Sequence, residues 1–304
     1  MSGRRYQRVG VLMGGPSSER EVSLNSGQAV AEGLQAAGYS VQTLEFSGEV
    51  IPDTSGVEAV FVALHGRFGE DGGVQTILRD RGVPYTGAGP ASSRLAFDKI
   101  ESKRLFDREG ICNPAWEILR SGQARRLPLP VVVKPAREGS SIGVHRVFEE
   151  RDWRGALADA LTRDDEVIVE EFIEGRELTV GLVVREDPRE GEETLPVIEI
   201  VPEGGFYNYR AKYGGGSTYH VPADIPEATA LRCREVGARV FRALGAEGLG
   251  RVDFRLRSGG ELFVLELNTI PGFTKNSLLP KAARAAGFEF SALCDRIMRS
   301  ATVH

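Results

Sequence analysis

The segment "GRVDFRLRSGGELFVLELN", residues 250 to 268, limits the possible folds of this chain more than any other. Two alternating runs flank Gly259-Gly260, a favoured two-residue hairpin turn. With that turn Ser258 pairs with Glu261, and counting back sets Leu256 opposite Phe263, Phe254 opposite Leu265, Val252 opposite Leu267 and Asp253 opposite Glu266. One face is then wholly apolar and the other carries Arg251, Asp253, Glu266 and Asn268. A one-residue slip would send one strand's pattern to the wrong face, so turn chemistry and polarity agree on this register. Directly opposed carboxylates have Cβ atoms about 4.5 to 5.5 Å apart and repel. Arg251 compensates in part, and two carboxylates beside an amide oxygen suit magnesium together with a substrate phosphate. The alternative is a solvated face with ordinary ion pairs. The Pro-Gly turn of "NTIPGFTKNS", which follows directly, brings backbone N–H groups to the same end.

A second hairpin is read from "VVVKPAREGSSIGV", residues 131 to 144. Its glycine-serine tip suits an oxyanion, yet it fits neither G-x-x-x-x-G-K-[ST] nor G-x-G-x-x-G. Ile142, Val144 and Arg146-Val147-Phe148 suit a strand better than a helix, so any phosphate would lie under a flap. Lys134 ends an apolar run, where an unpaired ammonium is costly.

The N-terminal part alternates strand (Val9 to Met13), helix (to about Ala37) and the strands "VQTLEF" and "AVFVAL", the pattern of an open parallel sheet. Ligands gather at the carboxyl ends of such strands, where "GGPSSER" and "HGRFGEDG" fall. After a small strand "VPYTG", a helix is expected from Ala91 to about Glu109. An amphipathic helix then carries Trp153, Ala156-Leu157 and Ala160-Leu161. "VIVEEF", "ELTVGLVV" and "TLPVIEI" read as strands, with "REDPREGEE" as a solvated hairpin tip. The glycine- and tyrosine-rich stretch 203–221 reads as a long functional loop, followed by a helix from Pro226 to Leu244.

With 304 residues, 41% of them hydrophobic, the chain can bury a large core and divide into two or three domains as a soluble globular protein. A net charge of −5 offers no basic face for nucleic acid or an anionic membrane. No apolar run approaches membrane length, and "VGVLM" is too short for a signal-peptide core, so a cytoplasmic protein is expected. Cys112, Cys233 and Cys294 lie far apart without C-x-x-C, which argues against a zinc site or disulfide framework and predicts buried thiols in a reducing compartment.

The motifs "GGPSSEREVSLNSG", "ALHGRFGEDG", "VPYTG", "DKIESK", "VVKPAREGSSIGV", "VIVEEFIEGRELTV", "YRAKY", "GRVDF" and "LELNTIPGFT" stand in one order along nearly the whole chain. In that order they resemble the ATP-grasp ligases, and in particular the D-alanine-D-alanine ligases of peptidoglycan synthesis. The resemblance implies an α/β (α+β) ATP-grasp fold with an N-terminal open parallel α/β domain. It implies a substrate-binding domain over 1–91, a central ATP-grasp subdomain over 92–178 and a C-terminal subdomain over 179–304 with the metal and catalytic residues. ATP is then gripped between the sheets of the last two.

Position by position, the resemblance assigns Lys99, Lys134 and Lys212 to the phosphates of ATP and Gly139-Ser140-Ser141 to a lid that orders over them. Glu170, Glu171 and Phe172 match the adenine segment and Glu177 the ribose acceptor. Glu19 matches the partner of the first D-alanine's ammonium, with His65 nearby. Ser140 and Tyr213 match the groups that tie the flap and the long loop to Glu19. Arg251 and the Gly272 N–H match the oxyanion stabilisers, while Ser277 and the Leu278 N–H match the holders of the second D-alanine's carboxylate. Asp253, Glu266 and Asn268 match the ligands of two Mg2+ (or Mn2+). Activation by a monovalent cation and a homodimer are implied in the same way. Read from residues alone, Lys99 also suits a solvated helix face, Phe172 plain core, Glu19 a helix cap and His65 a structural role. Tyr213 resembles the dipeptide-forming members. The alternatives are a related ligase taking D-lactate or D-serine, and a non-catalytic nucleotide-binding module. The Gly214-Gly215-Gly216 run and the Lys275-Asn276 pair depart from the family pattern.

Overall fold

The computed structural model describes residues 5–205 and 216–304, arranged around three sheets. In the first, β1 (Arg8–Gly14) lies between β2 (Ser40–Phe46) and β3 (Ala59–Val62), all parallel. Val9, Val11 and Leu12 are fully buried, because a parallel sheet is covered on both faces and its central strand reads as a continuous apolar run. The crossover helix α1 (Arg20–Ala36) packs through Val30, Ala31 and Leu34, and a further helix, α2, spans Gly73–Asp80. The expected strand "VPYTG" is reduced to isolated bridges, from Tyr85 to Val60 and to Thr302.

The second sheet is antiparallel, with β4 (Trp116–Leu119), β5 (Val131–Pro135), β6 (His145–Val147) and β7 (Val167–Glu171) in the order β4-β7-β5-β6. Trp153, Ala156 and Ala160 of α5 (Glu150–Leu161) join its core. The strand after the flap begins only at His145, later than Ile142 where the sequence pattern placed it.

The third sheet has the order β11-β10-β8-β12-β13, with β9 also paired to β8. Its strands are β8 (Arg176–Val184), β9 (Glu192–Thr194), β10 (Ile198–Pro202), β11 (Ser217–His220), β12 (Leu249–Leu256) and β13 (Leu262–Asn268). The single strand expected for "TLPVIEI" is two, β9 and β10, split around Pro196, which has no N–H for the ladder. The expected loop 203–221 ends in β11. Helices α3 (Pro90–Phe97), α4 (Lys99–Arg108) and α6 (Glu227–Ala243) share this sheet's core. The last helices, α7 (Leu278–Ala285) and α8 (Phe290–Arg299), join a core that the first and third sheets share, in which Leu279 and Ile297 lie with Val9, Leu34 and Phe61 of the first sheet and α1 and with Val183, Ile198 and Ile200 of the third sheet.

Three local corrections bear on the site. The one helix expected over 91–109 is two, because Asp98 takes an extended backbone (φ −80, ψ 103) and its side chain accepts from the N–H groups of Ile100 and Glu101. That is an N-cap, so Lys99 opens a new helix. In the β12–β13 hairpin Asp253 does oppose Glu266, but Phe254 faces Val264 and Leu256 faces Leu262. The loop spans 258–260, closed by Arg257 N–H to Glu261 O (2.9 Å), and a bulge at Leu265 takes up the offset. Cys112 is exposed, whereas Cys233 and Cys294 are buried as expected, burial pushing their thiols up to about 11 and about 12. Among the described residues no helix is long and apolar enough to cross a membrane.

Candidate active site

A cleft of about 670 Å³ opens where the carboxyl ends of the first sheet face the flap and the third sheet. Every described residue that the sequence nominated lines it; Lys212 and Tyr213, with Gly214 and Gly215, lie outside the described residues.

At the amino-acid end, Glu19 occupies the N-cap position of α1 but makes no side-chain cap bond, and its carboxylate is buried in the cleft wall. Ser140 Oγ donates to it, and it lies so close to Gly139 that a side chain there would collide with Oε2. Ser140 and Ser141 both hold left-handed backbone (φ 47 and 58), a conformation that non-glycine residues adopt rarely and that clusters at ligand clamps. His65 Nδ1 lies 3.0 Å from Ile270 O, which can only accept, so Nδ1 carries the proton. Its Nε2 lies 3.2 Å from Ser26 Oγ, which accepts from the Phe273 N–H. The ring thus ties the end of the first sheet to the loop bearing Gly272.

At the centre, Arg251 clamps Asp253 bidentately, both contacts at 2.8 Å, and Thr179 Oγ1 (2.6 Å) and Asn268 Nδ2 (3.1 Å) also donate to it. Lys99 Nζ donates to Glu138 O (2.7 Å) and stands 3.6 Å from Glu266. The repulsion between opposed carboxylates is therefore relieved by one cation each. The remaining donors, two carboxylates and an amide oxygen, fit a hard divalent cation that completes its shell with phosphate and water. Among the described residues no group of three or more His, Cys, Asp or Glu forms a cage, so any such ion would depend on its ligand.

At the far end, Glu170 meets Lys103 at 2.6 Å and Lys134 at 2.9 Å. Burial alone would raise its carboxyl, but Lys103 and Lys134 outweigh that and hold it below the ordinary carboxylate range. Phe172 meets Phe148 edge-on at 5.1 Å, with the Arg255 guanidinium 5.9 Å from its ring. Arg255 also donates to Glu177 (3.2 Å) and to Ile173 O (3.0 Å), while Glu171 pairs with Arg257. At the opposite wall Thr274 N–H donates to Ser277 Oγ (3.0 Å), beside the start of α7. Lys281, one turn on, lies 4.3 Å from the Tyr219 ring.

Sequence reasoning missed Lys103, Arg255, Leu265 and Lys281. Lys103 lies four residues after Lys99 in "DKIESK", on the same helical face, so a signal was present. Leu265 enters the cleft wall only because of the bulge.

A family model described as the D-ala D-ala ligase C-terminus matches residues 105–299. The D-alanine-D-alanine ligase of Syntrophotalea carbinolica is 45% identical over 98% of this chain and 97% of its own. That of Bordetella petrii is 43% identical over 97% of this chain and 92% of its own. The crystal structure of the Bacillus anthracis D-alanine-D-alanine ligase complexed with ATP superposes with a TM-score of 0.82 at 30% identity, covering 97% of both chains. The three sheets carry the ATP-grasp architecture, and the chain belongs to the D-alanine-D-alanine ligase family.

Proposed function

We propose that the protein joins two D-alanine molecules into D-alanyl-D-alanine at the expense of ATP, for peptidoglycan precursors. One observation supports this most: the acidic Glu19–Ser140 end, the Arg251–Asp253–Glu266 centre and the Lys134–Glu170 end line a single cleft. A carboxylate does not condense with an amine at neutral pH, because hydroxide leaves poorly. Transfer of the γ-phosphoryl group to the first D-alanine makes an acyl phosphate, and the second D-alanine's neutral amine displaces phosphate from it.

In this reading Glu19 binds the first ammonium with His65 beside it, and Lys99, Lys134 and Lys212 meet phosphates. Glu170, Glu171, Phe172 and Glu177 hold adenine and ribose. Arg251 and the Gly272 N–H face the tetrahedral oxyanion, while Ser277 and the Leu278 N–H hold the second carboxylate. Asp253, Glu266 and Asn268 would hold Mg2+ or Mn2+, which supplies charge neutralisation on the phosphoryl oxygens. Gly139, Ser140, Ser141 and Tyr213 close over the intermediate and exclude water. The divisions 1–91, 92–178 and 179–304, a cytoplasmic location and a homodimer belong to the same proposal.

The test is ATP-dependent phosphate release with D-alanine alone, D-alanine plus D-lactate, and D-alanine plus D-serine. D-alanine alone is expected to turn over. Turnover only with D-lactate present would overturn the dipeptide reading, and nucleotide binding without turnover would reduce the protein to a binding module.

A further inference from the structure

Lys103 is 1% exposed and does not line the cleft. Its ammonium lies 2.6 Å from Glu170 Oε1 and donates to Asn113 Oδ1 at 3.0 Å. The Asn113 amide continues to Asp107 Oδ1 (2.8 Å), whose other oxygen accepts from Trp116 Nε1 (3.0 Å). The lysine is thus fixed between α4 and the start of β4. Lys134 reaches the same carboxylate from β5, at Oε2 (2.9 Å), but it does line the cleft and has no second acidic partner among the described residues. The three deeply buried groups are two cations and one anion. Either lysine alone could neutralise Glu170, and removing the only counter-ion of a buried charge is strongly unfavourable.

We propose that Lys103 is a positioning residue: it serves as the permanent counter-ion of Glu170, which frees Lys134 to turn from Glu170 to the nucleotide. The proposal rests on the reading of Glu170 and Lys134 as nucleotide-binding groups. Lys103 touches no substrate and acts through Glu170. Without it, Lys134 becomes the sole neutraliser of a buried carboxylate and is held back from the ligand.

Steady-state kinetics on Lys103→Met, Glu170→Gln and the double variant test this, with circular dichroism to confirm folding. Lys103→Met is expected to raise KM for ATP about tenfold while kcat and KM for D-alanine change less than about threefold. Glu170→Gln is expected to raise KM for ATP as well. The double variant should have a KM no higher than Glu170→Gln alone, because a neutral amide needs no counter-ion. If folded Lys103→Met binds ATP normally while Glu170→Gln does not, or if the two effects multiply, the positioning role is wrong. If Glu170→Gln leaves KM for ATP unchanged, the nucleotide reading of Glu170 fails first. Should Lys103→Met not fold, equality of KM between Glu170→Gln and the double variant still decides the matter.

Discussion

The two hairpins that meet over the cleft differ in what holds them. In β12–β13 the loop is confined to 258–260, and Val252, Phe254, Leu262 and Val264 are buried in the third sheet's core. In β5–β6 the tip runs from 136 to 144, and residues 137–146 are all only half-buried. A hairpin with a short turn and a buried face fixes charged groups in register. One with a long tip and little buried apolar area can open and shut at small cost. The first carries Asp253 opposite Glu266 in fixed register, and the second carries Ser140, which meets Glu19 across the cleft.

The sharpest way to break this contrast is chemical. Glu266→Gln should lower phosphate release by about 10³-fold, at the upper end of what losing one electrostatic stabiliser costs, with the melting temperature nearly unchanged. Near-normal activity in magnesium would remove Glu266 from the chemistry. Next comes packing: Phe254, fully buried, should cost about 3 to 5 kcal/mol as Phe254→Ala, read by urea unfolding. A loss below 1 kcal/mol would show that β12–β13 is not the rigid partner. Gly139→Ala, in the flap, should leave stability within about 0.5 kcal/mol but raise KM for D-alanine roughly tenfold, since the new methyl group displaces Glu19. An unchanged KM would detach the flap from the amino-acid end.

The smallest effect concerns the base of the flap, where His145 bonds Asp159 at 2.7 Å. That bond holds the Asp159 carboxyl below its ordinary value of 3.8. The native state then binds fewer protons than the unfolded one, so the contribution is complete above that value and is lost as pH falls through the lowered one. Limited proteolysis of the flap should accelerate in the wild type over that acid range. Asp159→Asn should start from a slightly faster rate and show less acceleration, and parallel profiles would mean that the pair does not hold the flap.

Much of the site was legible because its residues sit in short motifs. Asp253 opposite Glu266 came out of the hairpin pattern alone, although two offsets cancelled on the way. The run Leu262 to Leu265 is apolar at every position, so its periodicity cannot distinguish a two-residue turn from a three-residue loop with a bulge. The break at Asp98 had a local signal, an Asp followed three residues later by Glu101, as at capped helix starts. The costly ammonium expected at Lys134 finds its partner in Glu170, but which acid it meets depends on how β5 and β7 pair. Arg255 stayed hidden for the same reason, since its partners Glu177 and Ile173 are set by tertiary packing, and the spacing of Lys103 from Lys99 marked a shared helical face but not the Glu170 that it meets.

The far end of the sequence completes the sheet that begins it. Tyr6 donates to Ala301 O at 2.8 Å, Thr302 pairs with Tyr85 alongside β3, and α8 fills the core beneath α1. During synthesis the first strands therefore leave the ribosome long before the residues that cover them. Until residue 302 has emerged, Val30, Leu34 and Phe61 lack part of their cover, so a nascent chain must keep that surface from aggregating.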